Sequence, residues 1–514
     1  MRVAENGGRV AGEVGKVSLS VIVPVYNERY LVAESLARLR VLEKSPLISQ
    51  VEVIVVDDGS SDGTAEVIDA FARQCDARSG RAESDAGVAP MSWIFLRHEG
   101  NRGKGGAIRT GLSHATADTV VIHDADLEYD PADIVRLLRA YVENQADAVF
   151  GSRFAGGEVR RVLFFRHELG NRALTFLCNL VSNLNLTDVW TCYKLVRTSL
   201  LKSIPLVSND FRIEPEIAIK LAKREARVFE VPISYYGRTY REGKKIGWRD
   251  GIRALLAIAR FGASDYVYCE DSYGSQILGR LARAPRFNLW MADTIRPLCG
   301  DRVLEIGSGV GNLGRALMPR AKYVASDVNP LYLQTLSNLS IGRPYLTAAY
   351  CDVNDLSSFP VMSGGYDTVV CLNVIEHVDD DRAALTNIKS VLSSNGRAII
   401  LVPNGPWNYG TLDEVLGHRR RYTRRSIERL ADDCRLEVCE LIEFNRTGTL
   451  AWYLNGKLMR RRSFSLFQIW MLNLLTPLMR KFDKFLPVPP LSLIAVLKPA
   501  ETVAADSEAR APGA

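Results

Sequence analysis

The sequence predicts an α/β protein of two domains, each a parallel sheet with helices on both faces. Three observations predict this. Short buried-strand patterns alternate with segments of helical spacing, first over about residues 17–262 and again over about residues 300–498. At 514 residues the chain is long enough for more than one core of ordinary size. Its composition, 47% hydrophobic and 24% charged, is that of a folded globular protein.

Composition also excludes several classes. No apolar run reaches the ~18 residues of a membrane-spanning helix. Nine cysteines are scattered without a C-x-x-C pair, which is neither a disulfide framework nor a zinc motif. Residues 1–16 lack the apolar core of a secretory signal and read as a loose tail, as do residues 499–514. A formal charge of +6 is too mild to predict a nucleic-acid partner. The expected location is cytoplasmic, with peripheral contact to the cytosolic membrane face.

In the first domain, Ser18–Tyr26 reads as a buried strand and Glu28–Leu42 has helical spacing. Further strands are expected at Val51–Val56, Trp93–Leu96, Thr119–Ile122 and Ala148–Phe150. Helices are expected at Thr64–Phe71, Gly105–His114 and Pro131–Tyr141. Ala77–Pro90 is poor in apolar residues and reads as a surface loop. Residues 263–299 are largely helical in pattern and would join the domains. The second domain, 300–498, has strands at Arg302–Ile306, Tyr323–Ser326, Thr368–Leu372 and Ala398–Val402.

Ligands of open α/β sheets bind outside the carboxyl ends of the strands. The first strand ends in V-P-V-Y-N-E (Val23–Glu28) and the second in V-D-D-G-S-S-D-G-T (Val56–Thr64). Asp57 and Asp58 stand where a base or ribose could donate hydrogen bonds to them. Asp58-Gly59-Ser60 reads equally well as a turn before a helix cap at Ser61 or Asp62. In N-R-G-K-G-G-A-I-R (Asn101–Arg109), glycines allow close approach to an anion and Lys104 adds a point charge beside a helix start. Then His123 leads into Asp124-Ala125-Asp126. In extended chain, residues two apart point the same way. Two such carboxylates could hold a hard cation that offsets charge on a leaving diphosphate.

The order of these motifs resembles the family 2 glycosyltransferases of GT-A fold, and more closely their polyprenyl-phosphate (dolichol-phosphate) sugar synthase branch, over roughly residues 17–262. The resemblance implies inverting transfer from a nucleotide-diphosphate sugar with Mg2+ or Mn2+. It implies that Pro24, Tyr26, Glu28, Asp57 and Asp58 face the nucleoside and that Lys104 lies near the nucleotide. Asp124 and Asp126 would serve the metal and diphosphate, Asp126 as a catalytic residue. Glu128 stands where that branch often has an amide as a further metal contact.

Gly151-Ser152-Arg153-Phe154 matches a G-S-R-[FY] segment of the same branch, and Asp188–Lys194 occupies the place of its acceptor-site segment. Val231–Lys245 resembles its phosphate-contacting loop. Arg153, Arg238 and Lys244 could clamp a phosphate acceptor, which is already anionic and needs no general base. A glycan hydroxyl would need one, with Asp188 or Glu216 as candidates. Arg153 and Asp188 are therefore expected at the reacting centre. Phe164–Leu184 and Trp248–Phe261 mix apolar and arginine positions and could lie on a bilayer or pack conventionally.

In the second domain, Arg302–Ile306 runs into Gly307-Ser308-Gly309-Val310-Gly311. Gly309, Gly311 and Gly314 also satisfy G-x-G-x-x-G, so the glycines alone leave NAD and another nucleoside cofactor open. Three acids favour S-adenosylmethionine: Glu305 before the turn, Asp327 for the ribose hydroxyls and Asp352 for the adenine amino group. The arrangement resembles class I methyltransferases, over about residues 270–498, with a Rossmann-like fold. Asn373–Val378 looks like the N-V-[LI]-E-H-[VI] segment of several O-methyltransferases in that class. Gly417–Thr423 resembles their acceptor-side loop, and Phe287–Met291 their cofactor-covering helix. The resemblance implies cofactor contacts from Glu305, Gly307, Gly309, Gly311, Asp327, Asp352 and Asn373, with Arg421 and Tyr422 toward the acceptor. His377 is the expected base and His418 the other candidate, although local packing would equally explain His377.

The chain is thus expected to be bifunctional. Sugar transfer to a polyprenyl-phosphate or related glycan acceptor would be joined to methyl transfer, in glycolipid or cell-surface glycan synthesis. The alternative is sugar transfer to a glycan hydroxyl beside a non-catalytic, cofactor-sensing second domain.

Overall fold

The computed structural model describes residues 16–79, 88–156, 165–237, 248–264, 267, 281, 283–462 and 464–500. The chain divides into two compact units, Met1–Cys269 and Glu270–Ala514. Each is built on its own seven-stranded sheet.

In the first unit, β1 (Val17–Val25), α1 (Val32–Arg38), β2 (Ile48–Asp57), α2 (Thr64–Ser79), β3 (Met91–Arg97) and α3 (Lys104–His114) follow in order. Then come β4 (Thr119–Ile122), α4 (Ala132–Glu143), β5 (Ala148–Ser152), α5 (Phe165–Ser182), β6 (Lys194–Arg197), α6 (Thr198–Lys202), α7 (Ile213–Lys223), β7 (Val228–Pro232) and α8 (Trp248–Ala263). The strand order is β3-β2-β1-β4-β6-β5-β7. β1 and β2 are β-branched runs buried almost throughout, which suits a central parallel pair covered on both faces. They pair with Val21 opposite Val53 and Ile22 opposite Ile54. On its other side β1 pairs with β4, Leu19 opposite Thr119. Strand order therefore reverses at β1, the place where such sheets bind ligands.

Two expectations are corrected here. The sheet is not wholly parallel: β6 runs antiparallel to both β4 and β5. K-L-V-R has a basic residue at each end and only two apolar residues between, too little pattern to be read as a strand. The helix expected from Glu28 starts at Val32 and tightens into a 3-10 turn over Leu39–Lys44. Its expected first residues are pinned elsewhere. The Asn27 and Glu28 amides donate to Ser60 Oγ and Thr64 Oγ1, and Asn27 itself takes a left-handed conformation. Of the expected loop Ala77–Pro90, helix α2 covers the start, to Ser79, and residues 80–87 lie outside the described residues.

The second unit has β8 (Arg302–Ile306), β9 (Lys322–Asp327), β10 (Leu346–Tyr350), β11 (Tyr366–Leu372), β12 (Leu392–Pro403), β13 (Leu436–Phe444) and β14 (Ser492–Pro499). Their order is β10-β9-β8-β11-β12-β14-β13. The five strands from β10 to β12 are parallel. β14 and β13 close the edge antiparallel, and neither was apparent in the sequence. Helix Pro285–Ile295 packs Trp290 on Phe444 at 4.6 Å.

Helix α3 shows why its glycines are there. A Cβ on Gly111 would lie 2.5 Å from Ile22 Cγ2, so the helix lies directly on β1. A Cβ on Gly105 would lie 2.2 Å from the Ser208 carbonyl oxygen. Gly105→Ala is therefore expected to destabilise by roughly 1–3 kcal/mol. Gly100→Ala, where a Cβ meets nothing within 4 Å, should be close to neutral. Thermal unfolding of both variants checks this, and equal midpoints would contradict the packing argument.

Candidate active sites

At the carboxyl end of β4, the chain turns instead of continuing extended. Asp126 Oδ1 accepts from the Glu128 amide at 3.1 Å, and Leu127 adopts φ 62°. The alternation argument for Asp124 and Asp126 therefore gives way to a turn, which still leaves both half-buried at the sheet's end. Lys104 Nζ lies 2.9 Å from Asp124 Oδ1 and 3.0 Å from Glu214 Oε1. Glu214 in turn pairs with the fully buried Lys194. Burial acts to lower the Lys104 pKa, but Asp124 and Glu214 outweigh it and hold it well above the usual lysine value. Burial likewise acts to raise Asp124, and the charge and hydrogen bond of Lys104 bring it below the usual carboxylate range. The two are firmly ionised.

Glu128 Oε2 accepts from the Tyr235 hydroxyl at 2.7 Å. Asp58 is 2% exposed, and its oxygens accept the Arg102 and Gly103 amides at 2.8 and 2.7 Å, with His98 Nδ1 at 2.7 Å. It clamps the Asn101–Gly103 turn from within, so Asp58 does not face outward as expected. Asp57 is buried too, with Oδ2 lacking a hydrogen bond and lying 3.3 Å from Arg97 Nε. Tyr26 is exposed, and Pro24 and Glu28 are half-buried beside it.

On the β5 side, Arg153 Nε and Nη2 meet Asp188 Oδ2 and Oδ1 at 2.7 and 2.9 Å. The guanidinium lies 5.0 Å over the Tyr235 ring. Asp188 has no exposure. Glu216 is also fully buried and accepts from the Val207 and Ser208 amides and Lys220. Arg238 and Lys244 lie outside the described residues. Sequence reasoning missed Glu214 and Tyr235. Acids inside the apolar stretch Ile213–Ile219 were the available signal for Glu214, because buried charges need partners.

In the second unit, Gly307, Gly309 and Gly311 all take positive φ, at 73°, 55° and 80°. The Glu305 carboxylate below them is buried and accepts from Ser308 Oγ at 2.9 Å and Tyr323 Oη at 3.0 Å. Burial, offset in part by those hydrogen bonds, pushes its pKa up to about 7. Asp327 accepts the Gly309 and Asn329 amides, each at 2.9 Å, and so ties β9 to the turn. Asp352 holds Asn354 at 2.9 Å, and Asn373 is exposed after β11. The structure thus brings Glu305, Asp327 and the three glycines together.

Arg421 and Tyr422 differ from expectation. Both are buried. Arg421 is neutralised by Asp413, at 2.8 and 3.1 Å, and Tyr422 Oη donates to Asp381 at 2.8 Å. They brace the site and offer no surface to an acceptor. His377 is half-buried with Nδ1 3.3 Å from the Gly417 carbonyl oxygen, and burial with the nearby His418 pushes its pKa down to about 4. The ring is neutral at pH 7.

Apolar side chains also reach the surface in ordered rows. On α5 these are Phe165, Leu169, Phe176 and Leu180; on α8 they are Ile252, Leu255 and Leu256, opposite the buried Ala254, Ala257 and Ile258. Helix Leu466–Phe482 exposes Phe467, Trp470, Leu474 and Leu478 while burying Ile469, a face the sequence reading did not single out. No described helix is long and apolar enough to cross a membrane.

A model of the family described as glycosyl transferase family 2 matches residues 20–204, and one described as a methyltransferase domain matches residues 304–398. An undecaprenyl-phosphate mannosyltransferase of Micrococcus luteus is 30% identical over 255 residues, 47% of this chain and 92% of that protein. A dolichol-phosphate mannosyltransferase of Pyrococcus furiosus is 28% identical over 233 residues, 45% of this chain and 60% of that protein. A crystal structure of glucosyl-3-phosphoglycerate synthase from Mycobacterium tuberculosis, in complex with Mn2+, UDP and glucosyl-3-phosphoglycerate, aligns with TM-score 0.35 and 18% identity, covering 51% of this chain and 88% of that one. The first unit thus combines a GT-A sheet, a carboxylate turn at its switch point and a 30% identical relative matched over 92% of its length; the chain belongs to glycosyl transferase family 2 and joins to that glycosyltransferase a methyltransferase domain.

Proposed function

We propose that the first unit transfers a sugar, with inversion, from a nucleotide-diphosphate sugar to a polyprenyl phosphate. The carrying observation is the ionised Lys104–Asp124 pair beside Asp126, at the point where strand order reverses. Two half-buried carboxylates fit Mg2+ or Mn2+, which typically take one or two carboxylates and complete their shell with substrate phosphates. When bound, such a cation offsets charge on the departing nucleoside diphosphate. Lys104 would face the diphosphate, while Pro24, Tyr26, Glu28 and Asp57 border the nucleoside. Glu128, which accepts from Tyr235, stands beside this turn as a further candidate contact to the cation.

The two candidate general bases support a phosphate acceptor. Asp188 is consumed by Arg153, and Glu216 by two amides and Lys220, all without exposure. An acceptor that arrives ionised needs neither. Arg153 would contact its phosphate, with Asp188 as a positioning residue. The mannosyltransferase relatives on undecaprenyl and dolichol phosphate support this acceptor class and make mannose the first sugar to test.

The second unit would bind S-adenosylmethionine over the Gly307–Gly311 turn, with Asp327 and Asp352 toward ribose and adenine, and methylate a hydroxyl of the same lipid-linked glycan. The exposed rows on α5, α8 and Leu466–Phe482, with Arg253, Arg260, Arg480 and Lys481 on the same helices, suit peripheral contact with an anionic bilayer.

The full chain, given undecaprenyl phosphate, Mn2+ and a panel of nucleotide sugars, is expected to form a lipid-linked sugar. Asp124→Asn/Asp126→Asn should lower the rate by at least about a hundred-fold. Transfer to a glycan hydroxyl with none to the lipid would replace this reading. Cofactor binding without methyl release on any hydroxyl would make the second unit a sensing module.

Vesicles containing phosphatidylglycerol should sediment the protein, and Phe176→Ser/Leu180→Ser should weaken that at least about ten-fold, as expected for two large apolar groups. Equal partitioning of both proteins would remove the bilayer role of α5.

Glu305 yields a pH signature. Its folded pKa, about 7, lies above the ordinary 4.5, so the stabilisation is complete below about pH 4.5 and lost as pH rises through 7. The loss is on the order of 3 kcal/mol. Without cofactor, the thermal midpoint should fall from about pH 5 to 8 in the wild type and fall by less in Glu305→Gln, the remaining fall being that of buried Glu376, whose pKa is pushed up to about 8. Parallel curves would contradict the assignment.

A further inference from the structure

Among the described residues, Glu376, His377 and His418 each offer a ligand atom, and these atoms lie within 4.8 Å of one another. Glu376 has no exposure, and neither carboxylate oxygen has a hydrogen-bond partner. A buried carboxyl in that state is unfavourable as an anion until a proton or a metal cation meets it. The nearest ring nitrogen, His418 Nε2, is 3.8 Å from Oε1, too far for a hydrogen bond.

Both rings are hydrogen-bonded through Nδ1. His418 Nδ1 lies 2.8 Å from Asp413 Oδ1, and Asp413 also accepts from Arg421 and Trp452. That carboxylate is a pure acceptor, so Nδ1 carries the proton and Nε2 the lone pair. His377 Nδ1 lies 3.3 Å from the Gly417 carbonyl oxygen and the ring also meets the Asn373 backbone; a neutral imidazole there keeps a lone pair on one ring nitrogen. Two imidazoles beside one buried carboxylate make a ligand set that suits first-row divalent metals. Two ligands on one such ion stand about 3.4 Å apart, from metal–ligand bonds of ~2.1 Å at tetrahedral angles. The 3.8 Å between Glu376 and His418 needs only a small closure.

We propose that Glu376, His377 and His418 bind a divalent first-row transition-metal cation such as Zn2+ or Mn2+. Asp413 positions His418 for it. The cluster follows β11, and a Cβ on Gly307 would lie 2.5 Å from Val374, so this segment borders the glycine turn. Glu376 and His418 are buried and His377 is half-buried, so the open side of the ion faces out past His377. An acceptor hydroxyl bound there would be acidified. Its proton would leave to solvent, the oxygen lone pair would form the O–CH3 bond, and the S–CH3 bond of the sulfonium cofactor would break to give a neutral thioether. This role rests on the methyl-transfer reading; binding of the cation does not.

The test uses the full chain carrying Asp124→Asn/Asp126→Asn, which removes the other carboxylate site. Stripped with chelator and titrated with Co2+, it should develop a visible d–d band that saturates at one equivalent. Glu376→Gln and His377→Asn should each weaken Co2+ at least about ten-fold, with circular dichroism unchanged. Should Glu376→Gln fail to fold, the half-buried His377→Asn decides alone. A folded chain without the band, or a band indifferent to His377→Asn, overturns the site. S-adenosylmethionine is titrated separately by calorimetry: a Co2+ band in a chain that ignores the cofactor supports the metal site while removing its methyl-transfer role.

Discussion

A buried alternation of charge, Lys194–Glu214–Lys104–Asp124, holds the first unit's site together. It joins β6, α7, the start of α3 and the end of β4 through contacts of 3.0 Å or less. Two ammonium and two carboxylate groups sum to zero, which is what makes their burial tolerable. Exposure rises along the series, from 0% for the Lys194 side chain to 24% for Asp124. The exposed end is thus a carboxylate whose geometry is set by three groups behind it. Breaking the series at Glu214 would leave two lysines facing each other in low dielectric, with effects reaching both α3 and β6. A cation and diphosphate arriving at Asp124 would compete with Lys104 for its oxygens, and the lysine would find the diphosphate as its new partner.

The second unit uses the same device with a single hub. Asp413 has no exposure and accepts from His418, Arg421 and Trp452. It orients the imidazole without reaching the outer face of the site. In both units the groups that set the chemistry's geometry are buried acids one contact behind the groups that would touch ligand.

That arrangement explains what the sequence could and could not show. Motifs at the ends of β1, β2, β4 and β8 were legible because each is continuous in the chain and bounded by glycines or acids that punctuate a strand. Partners from distant elements were not. Arg153 and Asp188 were both picked out, yet nothing in 35 residues of separation says that they bind each other. The run Arg419–Arg421 lies in the loop expected to face an acceptor. In the fold each arginine has its own carboxylate: Asp379, Asp381 and Asp413. Asp58 looked like a ligand residue because it shares a segment with Asp57, and only the approach of the 101–103 turn shows that it is spent internally. The short β6 was hidden for a different reason: antiparallel insertion between β4 and β5 is a property of the sheet, and Leu195 and Val196 between two basic residues give no apolar run to mark it.

The two halves face opposite problems in making a nucleophile. A polyprenyl phosphate, the acceptor proposed for the first unit, is already an anion at neutral pH, so that unit would have only to neutralise the leaving group and hold the acceptor. Its acids near the acceptor side are accordingly sealed against cations. A hydroxyl is a poor nucleophile until its proton leaves, so the second unit must supply something more. His377 is neutral and half-buried, but an imidazole whose pKa is pushed down to about 4 is a weak base. A buried carboxyl without a hydrogen-bond partner, beside two imidazoles, makes better sense as the proposed socket for a cation that acidifies the hydroxyl itself. On the proposed reading the contrast follows from acceptor chemistry: where the acceptor would arrive charged, the acids are buried in pairs; where it would arrive neutral, one buried acid has no hydrogen-bond partner.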